Sequence, residues 1–162
     1  MLELVTGPMT GRQYLDSLQD GREVYIYGER VKDVTTHPAF RNAARSIARL
    51  YDALHDPQHK DTLLATDRQG ILTHKFFKPS YSAQELLEAR EAIVTWARFS
   101  YGFMGRTPDY KASFMATLGA APDFYAPFQE NAARWYRDYA TKVLFLNHVI
   151  VNPPVDRNKP VH

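Results

Sequence analysis

Three long segments of this sequence repeat apolar residues at helical spacing, and this feature constrains the fold more than any other. A stripe of this kind marks the face of a helix that packs on a hydrophobic core. The stripes are Phe40, Ala43, Ile47, Leu50 and Leu54; then Leu86, Ile93 and Ala97; then Phe128, Ala132, Trp135, Tyr139, Val143 and Leu146. The pattern predicts a mainly helical domain.

Capping signals predict where the helices begin and end. Thr10–Gln13 and Ser82–Glu85 have the spacing of a capping box, which opens a helix. Pro38 suits the first position of another helix, and Gly102 lies just past the end of the helix predicted for about residues 83–101. Asp109 is a good N-cap for a further short helix.

Two short stretches between the helices are typical of β-hairpins. Residues 23–31 read EVYIYGERV, and residues 62–77 read TLLATDRQGILTHKFF; both place a glycine-containing turn between β-prone runs. The fold class is therefore mainly α, with two small β-hairpins.

Composition limits the classes of function. The 162 residues are 44% hydrophobic and 13% aromatic, which suits one domain with a dense core or an aromatic-lined pocket. A net charge of +2 gives no basic surface for nucleic acid, and no window is apolar enough for a signal peptide or membrane span. There is no cysteine, which excludes disulfides and cysteine-bound metal clusters from these residues. We expect a soluble cytoplasmic protein that binds neither membrane nor nucleic acid.

The helical period disappears in the apolar run VLFLNHVIVN at residues 143–152, which is typical of a buried strand. Pro153 and Pro154 bar ladder pairing at their own positions. The run is either an edge strand docked on its own domain or, as we favour, the first strand of a second domain.

Arg106 and Tyr110 flank the start of the helix predicted at Asp109. The free amides of a helix N-terminus favour an anion, so a guanidinium and a phenol there could hold a carboxylate, a phosphate or a phenolate oxygen. The alternative is a solvated loop arginine beside a packed tyrosine.

His148 has two interpretations as well. Within an apolar strand it is either a core histidine or a neutral imidazole kept dry for proton transfer. His37, His55, His59 and His74 show no spacing that indicates a metal site.

Three separated stretches then resemble one family. FMGRTPDYKASFMATLGA, WYRDYATKVLFLNHVIVNPPVDRNKPVH and GRQYLDSLQDGREVYIYGERVKDVTTHPAF resemble the oxygenase component of 4-hydroxyphenylacetate 3-hydroxylase. Its members are two-component, flavin-dependent phenol monooxygenases with an acyl-CoA-dehydrogenase-like fold. The resemblance implies that residues 1–143 are the helical N-terminal domain and that residues 144–162 begin a central β domain. We expect the chain to be the opening part of a longer protein and inactive alone.

The resemblance also assigns site residues. It implies that Arg106, Tyr110 and His148 are catalytic, contacting the phenolic oxygen of the substrate. The implied substrate-binding set adds Thr107, Pro108 and Asp109, and the implied flavin-binding set is His148, Pro154, Val155, Asp156 and Arg157. No metal is implied.

The implied reaction is ortho-hydroxylation of a phenol such as 4-hydroxyphenylacetate to the catechol, through a flavin C4a-hydroperoxide. The implied cofactor is FAD, reduced by a separate flavin reductase, with molecular oxygen as co-substrate. The implied assembly of the whole protein is a homo-oligomer, dimeric or tetrameric.

Three alternatives accompany this hypothesis. A related flavin and iron–sulfur dehydratase acting on 4-hydroxybutyryl-CoA needs cysteine ligands, which these residues lack. Related hydroxylases of halophenols or carrier-bound tyrosines stay open, because much of the ring pocket is expected downstream. If the 162 residues are the whole product, a non-enzymatic oligomerisation or binding module gains weight.

Overall fold

The computed structural model describes residues 7–102 and 107–147, together with Asn158. Two short 3-10 turns, Pro108–Lys111 and Pro122–Tyr125, flank the fifth helix. The helices are α1 (Gly11–Ser17), α2 (Arg41–Ala53), α3 (Lys60–Leu63), α4 (Ala83–Phe99), α5 (Ala112–Ala120) and α6 (Gln129–Lys142). The strands are β1 (Val24–Ile26), β2 (Glu29–Val31), β3 (Leu64–Thr66) and β4 (Leu72–His74). The predicted fold class, mainly helical with two small hairpins, is confirmed.

Helix α1 begins with the predicted capping box. The Thr10 hydroxyl accepts a hydrogen bond from the Gln13 amide at 3.2 Å, and the Gln13 side chain accepts one from the Thr10 amide at 2.9 Å. Gly11 brings α1 against α2, because a Cβ at this position would lie 2.5 Å from the Ala48 carbonyl oxygen. The Gly11 amide donates to Asp52 at 2.8 Å.

Each hairpin is a self-contained antiparallel pair. Val24 pairs with Val31 in the first hairpin, and Leu64 pairs with His74 in the second. Tyr27 and Gly28 turn the first hairpin with φ of 50° and 82°, the left-handed conformations that a two-residue turn of this kind needs.

Aromatic rings from several elements meet in the core. Phe77 stacks on Tyr139 of α6 at 4.8 Å between ring centroids, and His74 lies 4.1 Å from Trp96 of α4. The Tyr51 hydroxyl donates to the Val143 carbonyl oxygen at 2.8 Å, which ties α2 to the end of α6. All five side chains are fully buried.

Helix α4 has half of its predicted capping box. The Ser82 hydroxyl accepts from the Glu85 amide at 3.1 Å, but the Glu85 carboxylate is occupied elsewhere. It accepts from the Tyr81 amide at 2.6 Å and from the Lys78 ammonium at 2.7 Å. At the other end, the Gly102 amide donates to the Ala97 carbonyl at 2.7 Å, as in a Schellman motif.

Several details of the prediction are wrong. Helix α2 begins at Arg41 and not at Pro38, because the Asp33 carbonyl accepts from the His37 amide and holds the preceding residues in turns. Leu86 of the predicted α4 stripe is 62% exposed. In α6 Tyr139 of the predicted stripe is buried, but Trp135 is 49% exposed and the neighbouring Tyr136 is buried in its place.

The predicted C-terminal strand is described only in part. Residues 144–147 form no strand, and residues 148–152 lie outside the described residues. The two sheets of the described ranges have two strands each, and neither sheet includes residues 144–147. Within those same ranges, no helix is long and apolar enough to cross a membrane.

Candidate functional site

The structure describes one part of the predicted site, the turn Thr107–Tyr110. Here the chain enters a 3-10 turn that begins at Pro108 and continues directly into α5. The Tyr110 amide donates to the Thr107 carbonyl at 3.1 Å, which closes the turn. The other predicted site residues lie outside the described ranges: Arg106, His148, Pro154, Val155, Asp156 and Arg157.

Asp109 is not the N-cap that the sequence predicts. Thr107 takes the cap position, since Pro108 supplies the first residue of the turn. Asp109 instead turns into the fold, where it is 3% exposed. Its Oδ1 accepts a hydrogen bond from the Thr107 hydroxyl, and its Oδ2 has no partner among the described residues.

Burial decides the electrostatics of Asp109. Loss of hydration raises the pKa of this carboxyl, while the Thr107 hydroxyl acts in the opposite direction. Burial is also the main reason why the pKa of the Tyr139 phenol is raised, with smaller contributions that include the charge of Asp109. The buried side of the turn, around Asp109 and Tyr139, is therefore a region where an ionised side chain is destabilised.

Tyr110 points the other way. Its side chain is 48% exposed, and the Lys111 ammonium lies 4.4 Å from the centre of its ring. The same ammonium lies 4.9 Å from the ring of Phe114, one turn further along α5. The cation–π attraction between the Lys111 ammonium and the two rings favours the observed orientation of Tyr110 and Phe114.

An apolar groove of about 270 Å³ adjoins this face of the turn. Its lining consists of Lys111, Phe114, Met115, Leu146 and Asn147. The sequence interpretation missed these residues as site candidates. The available signal was the spacing of Phe114 and Met115, which follow Lys111 by three and four residues and so share its helix face.

His74 is a second residue that the sequence underrated. It is fully buried against Trp96, and burial lowers the pKa of its imidazole to about 3, with a smaller effect of Lys75. Its Nδ1 accepts from the Phe76 amide at 3.1 Å, so the neutral ring carries its proton on Nε2. The described residues hold no group of three or more side chains that could bind a metal ion.

With this geometry in place, the comparison with known families is decisive. A family model described as 4-hydroxyphenylacetate 3-hydroxylase N terminal matches residues 10–162. The chain belongs to this family.

Curated relatives agree with the family match. The chain is 61% identical over 158 residues to the 4-hydroxyphenylacetate 3-monooxygenase oxygenase component of Pseudomonas aeruginosa, covering 96% of this chain and 30% of the relative. It is 61% identical over 155 residues to the 4-nitrophenol 2-monooxygenase oxygenase component of a Rhodococcus species, covering 94% of this chain and 30% of the relative. The chain thus spans about 30% of the length of these relatives.

Solved structures support the fold. The oxygenase component of 4-hydroxyphenylacetate 3-monooxygenase, complexed with FAD and 4-hydroxyphenylacetate, matches with a TM-score of 0.82 at 33% identity, covering 94% of this chain and 32% of that one. An archaeal 4-hydroxybutyryl-CoA dehydratase matches with a TM-score of 0.63 at 18% identity, covering 81% of this chain and 27% of that one. These likenesses confirm the predicted N-terminal helical domain of an acyl-CoA-dehydrogenase-like fold.

Proposed function

We propose that this chain forms the N-terminal part of a reduced-FAD-dependent monooxygenase that hydroxylates a phenol at the ortho position. The observation that carries the proposal is the turn Thr107–Tyr110, which presents a half-exposed phenol beside an apolar groove. The names of the relatives support it, since they describe oxygenase components acting on 4-hydroxyphenylacetate or 4-nitrophenol. The whole-protein activity, substrate and partners are part of this proposal.

The described residues fit a flat ring bound next to the turn. Phe114, Met115 and Leu146 supply apolar walls. Lys111 also lines the groove, and its ammonium lies over the ring of the half-exposed Tyr110. Either the phenol or part of FAD suits such a surface. When bound, reduced FAD together with oxygen supplies the oxygen atom for transfer, and His148 and Pro154–Arg157 are the residues that would hold it.

The residues of this chain then act on the substrate. Arg106 and Tyr110 hold the phenolic oxygen, and His148 accepts its proton. Negative charge on that oxygen makes the ortho carbon a better nucleophile, so groups that stabilise the charge lower the barrier. The apolar groove keeps water from the ring.

The substrate-binding set also includes three residues that precede Tyr110 in the turn: Thr107, Pro108 and Asp109. All three are buried, so we assign their share in substrate binding to the shape of the turn. The Thr107 hydroxyl donates to the Asp109 carboxylate and the Thr107 carbonyl accepts from the Tyr110 amide, and these two bonds hold the backbone of Tyr110 in the turn.

The proposal includes partners. The relatives are named oxygenase components, which supports a separate flavin reductase for the proposed enzyme. We also propose a homo-oligomer in the cytoplasm, with residues 144–162 as the start of a central β domain.

One experiment tests the activity. A full-length protein containing this segment is given reduced FAD, oxygen and 4-hydroxyphenylacetate, and the catechol is quantified. We expect one catechol per reduced FAD, and less than half of that yield after His148→Ala. No catechol from 4-hydroxyphenylacetate, 4-nitrophenol or a halophenol would overturn the proposal.

A second experiment separates an enzyme part from a free-standing binding module. Calorimetric titration of the 162-residue chain with FAD should give no submicromolar binding, because its predicted flavin residues form one edge of a site. Submicromolar one-to-one binding would contradict that expectation.

A further inference from the structure

The chain leaves α6 through an unusual backbone conformation. Val143, the residue after the helix, has φ of 53° and ψ of 53°, which lies in the left-handed region. A β-branched side chain is crowded by its own backbone there, and glycine is the residue that usually ends a helix in this conformation. Two hydrogen bonds accompany the turn: the Val143 amide donates to the Ala140 carbonyl at 3.3 Å, and the Leu144 amide donates to the Tyr139 carbonyl at 3.1 Å. The exit from α6 is therefore ordered but strained.

Tyr51 of α2 holds this turn from across the core. Its hydroxyl donates to the Val143 carbonyl at 2.8 Å, over a sequence separation of 92 residues. Burial raises the pKa of the Tyr51 phenol, whereas a hydrogen bond from the backbone of Phe145 acts in the opposite direction. The hydroxyl therefore interacts with the backbone on both sides of Leu144. Tyr51 and Val143 are fully buried, so water cannot replace these bonds.

The packing of α1 on α2 holds Tyr51 itself in place. Its ring stacks on that of Tyr14 at 5.0 Å between centroids. Gly11 lets the two helices approach closely, and its amide donates to Asp52, the residue after Tyr51. The Tyr51 hydroxyl therefore has a defined position relative to the end of α6.

The segment that follows Val143 contributes to the proposed hydroxylation site. Leu146 comes three residues later and lines the apolar groove together with Phe114 and Met115. His148, the predicted proton acceptor, follows Leu146 by two residues in the sequence. The direction in which the chain leaves Val143 thus decides whether Leu146 reaches the groove.

We propose that Tyr51 is a positioning residue for hydroxylation: its hydroxyl holds Val143 in the left-handed conformation and so directs residues 144–147 to the apolar groove. Tyr51 does not line that groove, and it acts through the backbone of Val143. The effect on the reaction rate rests on the proposed function. The hold on residues 144–147 does not.

The test begins with Tyr51→Phe in the full-length protein, which removes the hydroxyl and keeps the ring. Exchange of the Leu144 amide, followed by mass spectrometry of peptides that cover residues 143–147, should become at least about fivefold faster, because a buried carbonyl loses its donor. The single-turnover rate constant of hydroxylation with preformed reduced FAD should fall at least about fivefold. A purely structural role would reduce the amount of active protein and leave this rate constant unchanged.

Val143→Gly tests how Tyr51 acts, because glycine adopts the left-handed conformation without steric strain. In the Val143→Gly background, Tyr51→Phe should slow hydroxylation by less than about twofold. Both proteins in this comparison lack the valine side chain, so the effect of the cavity left in the core cancels. Tyr14→Phe is the matched control, since it removes a hydroxyl from the ring that stacks on Tyr51. It should change neither the exchange nor the rate constant.

The outcomes separate this inference from the proposed function. If the unchanged full-length protein forms no catechol, the proposed function fails, and exchange of the Leu144 amide alone decides whether Tyr51 holds the segment. If catechol forms and Tyr51→Phe alters neither exchange nor the rate constant, the inference is overturned while the proposed function stands. Faster exchange at an unchanged rate constant overturns the positioning role, and so does an equal slowing by Tyr51→Phe with valine or glycine at position 143.

Discussion

Two 3-10 turns of this chain share the order proline, aspartate, aromatic, yet they lie in opposite environments. Pro108–Lys111 reads PDYK and Pro122–Tyr125 reads PDFY. Asp109 of the first turn is 3% exposed, whereas Asp123 of the second is exposed. The aromatic residues follow the same trend, with Tyr110 at 48% and Phe124 at 85% exposure.

The residue before the proline explains part of the difference. Thr107 precedes the first turn and its hydroxyl donates to Asp109, while Ala121 precedes the second and has no hydroxyl to offer. A buried carboxyl needs such a partner. The first turn is therefore anchored in the fold by Asp109, while the next residue, Tyr110, is half-exposed and its ring lies beside Lys111, which lines the apolar groove. The two turns share a local sequence order, but only the first is a candidate site, because only its aspartate is buried in the fold.

The largest effect should come from Arg106, the predicted charge beside the first turn. Loss of a preorganised donor costs about 2–4 kcal/mol in the transition state, so Arg106→Ala should slow hydroxylation roughly thirty- to a thousandfold. Single-turnover kinetics of the full-length protein with preformed reduced FAD measure this step. Arg106→Lys should recover only part of the rate, because a point charge cannot replace the planar fork. A solvated loop arginine would leave the rate unchanged.

Thr107→Ala removes the hydroxyl that anchors the turn Pro108–Lys111 and places before it the residue type that precedes the turn Pro122–Tyr125. Asp109 would then lose its described side-chain partner while staying buried, so we expect a loss of about 1–3 kcal/mol in the free energy of unfolding. Urea denaturation measures it. Ser113→Ala in α5 is a control, since it also removes a hydroxyl and Ser113 is exposed. Equal losses in the two variants would mean that the Thr107 bond does not anchor the turn.

Asp109→Asn should change how stability depends on pH. The pKa of Asp109 is raised in the folded state, so ionisation destabilises the fold as pH rises from the unfolded pKa through the folded one. Relative to Asp109→Asn, the unchanged chain should lose stability as pH rises through the range above about 4, the ordinary pKa of an aspartate carboxyl. Thermal unfolding across that range measures the difference.

The matched change Asp123→Asn tests the exposed turn. It should alter the free energy of unfolding by less than about 0.5 kcal/mol throughout, as expected for a surface substitution. A pH-dependent difference of the same size at both positions would remove the contrast between the turns.

The sequence predicts correctly the two helix starts that a capping hydroxyl marks, but not the starts expected at Pro38 and Asp109. Thr10 and Ser82 accept hydrogen bonds from the amides three residues later, as predicted, because a cap depends on neighbours along the chain. The faces depend on partners that are distant in sequence. Trp135 and Tyr136 are adjacent aromatics, and Gly119 of α5 decides between them, since a Cβ there would lie 2.6 Å from the Tyr136 ring.

The sequence predicted the part of the site that lies within one short segment, and it did not predict the features that depend on distant parts of the fold. The resemblance pointed to residues 106–110, and the structure describes a turn there from Thr107 onward. The burial of Asp109 could not be read from spacing, because the surrounding fold imposes it. The groove formed by Phe114, Met115 and Leu146 was missed because Leu146 lies far from the other two in sequence, beyond the C-terminal end of α6.

The smallest effect expected on the hydroxylation rate gives the most direct test of the central claim, that the anchored turn presents Tyr110 to the phenol. Tyr110→Phe removes one hydroxyl and keeps the ring. The activation free energy of hydroxylation should therefore rise by about 0.5–1.5 kcal/mol, which slows the rate roughly two- to thirteenfold. The free energy of unfolding should change by less than about 0.5 kcal/mol. Phe124→Leu in the exposed turn should change neither quantity.

The decisive measurement is therefore the single-turnover hydroxylation rate of Tyr110→Phe in the full-length protein, taken together with its unfolding curve. The account predicts a slower rate at unchanged stability. An unchanged rate, or a slower rate fully explained by unfolding, would contradict it.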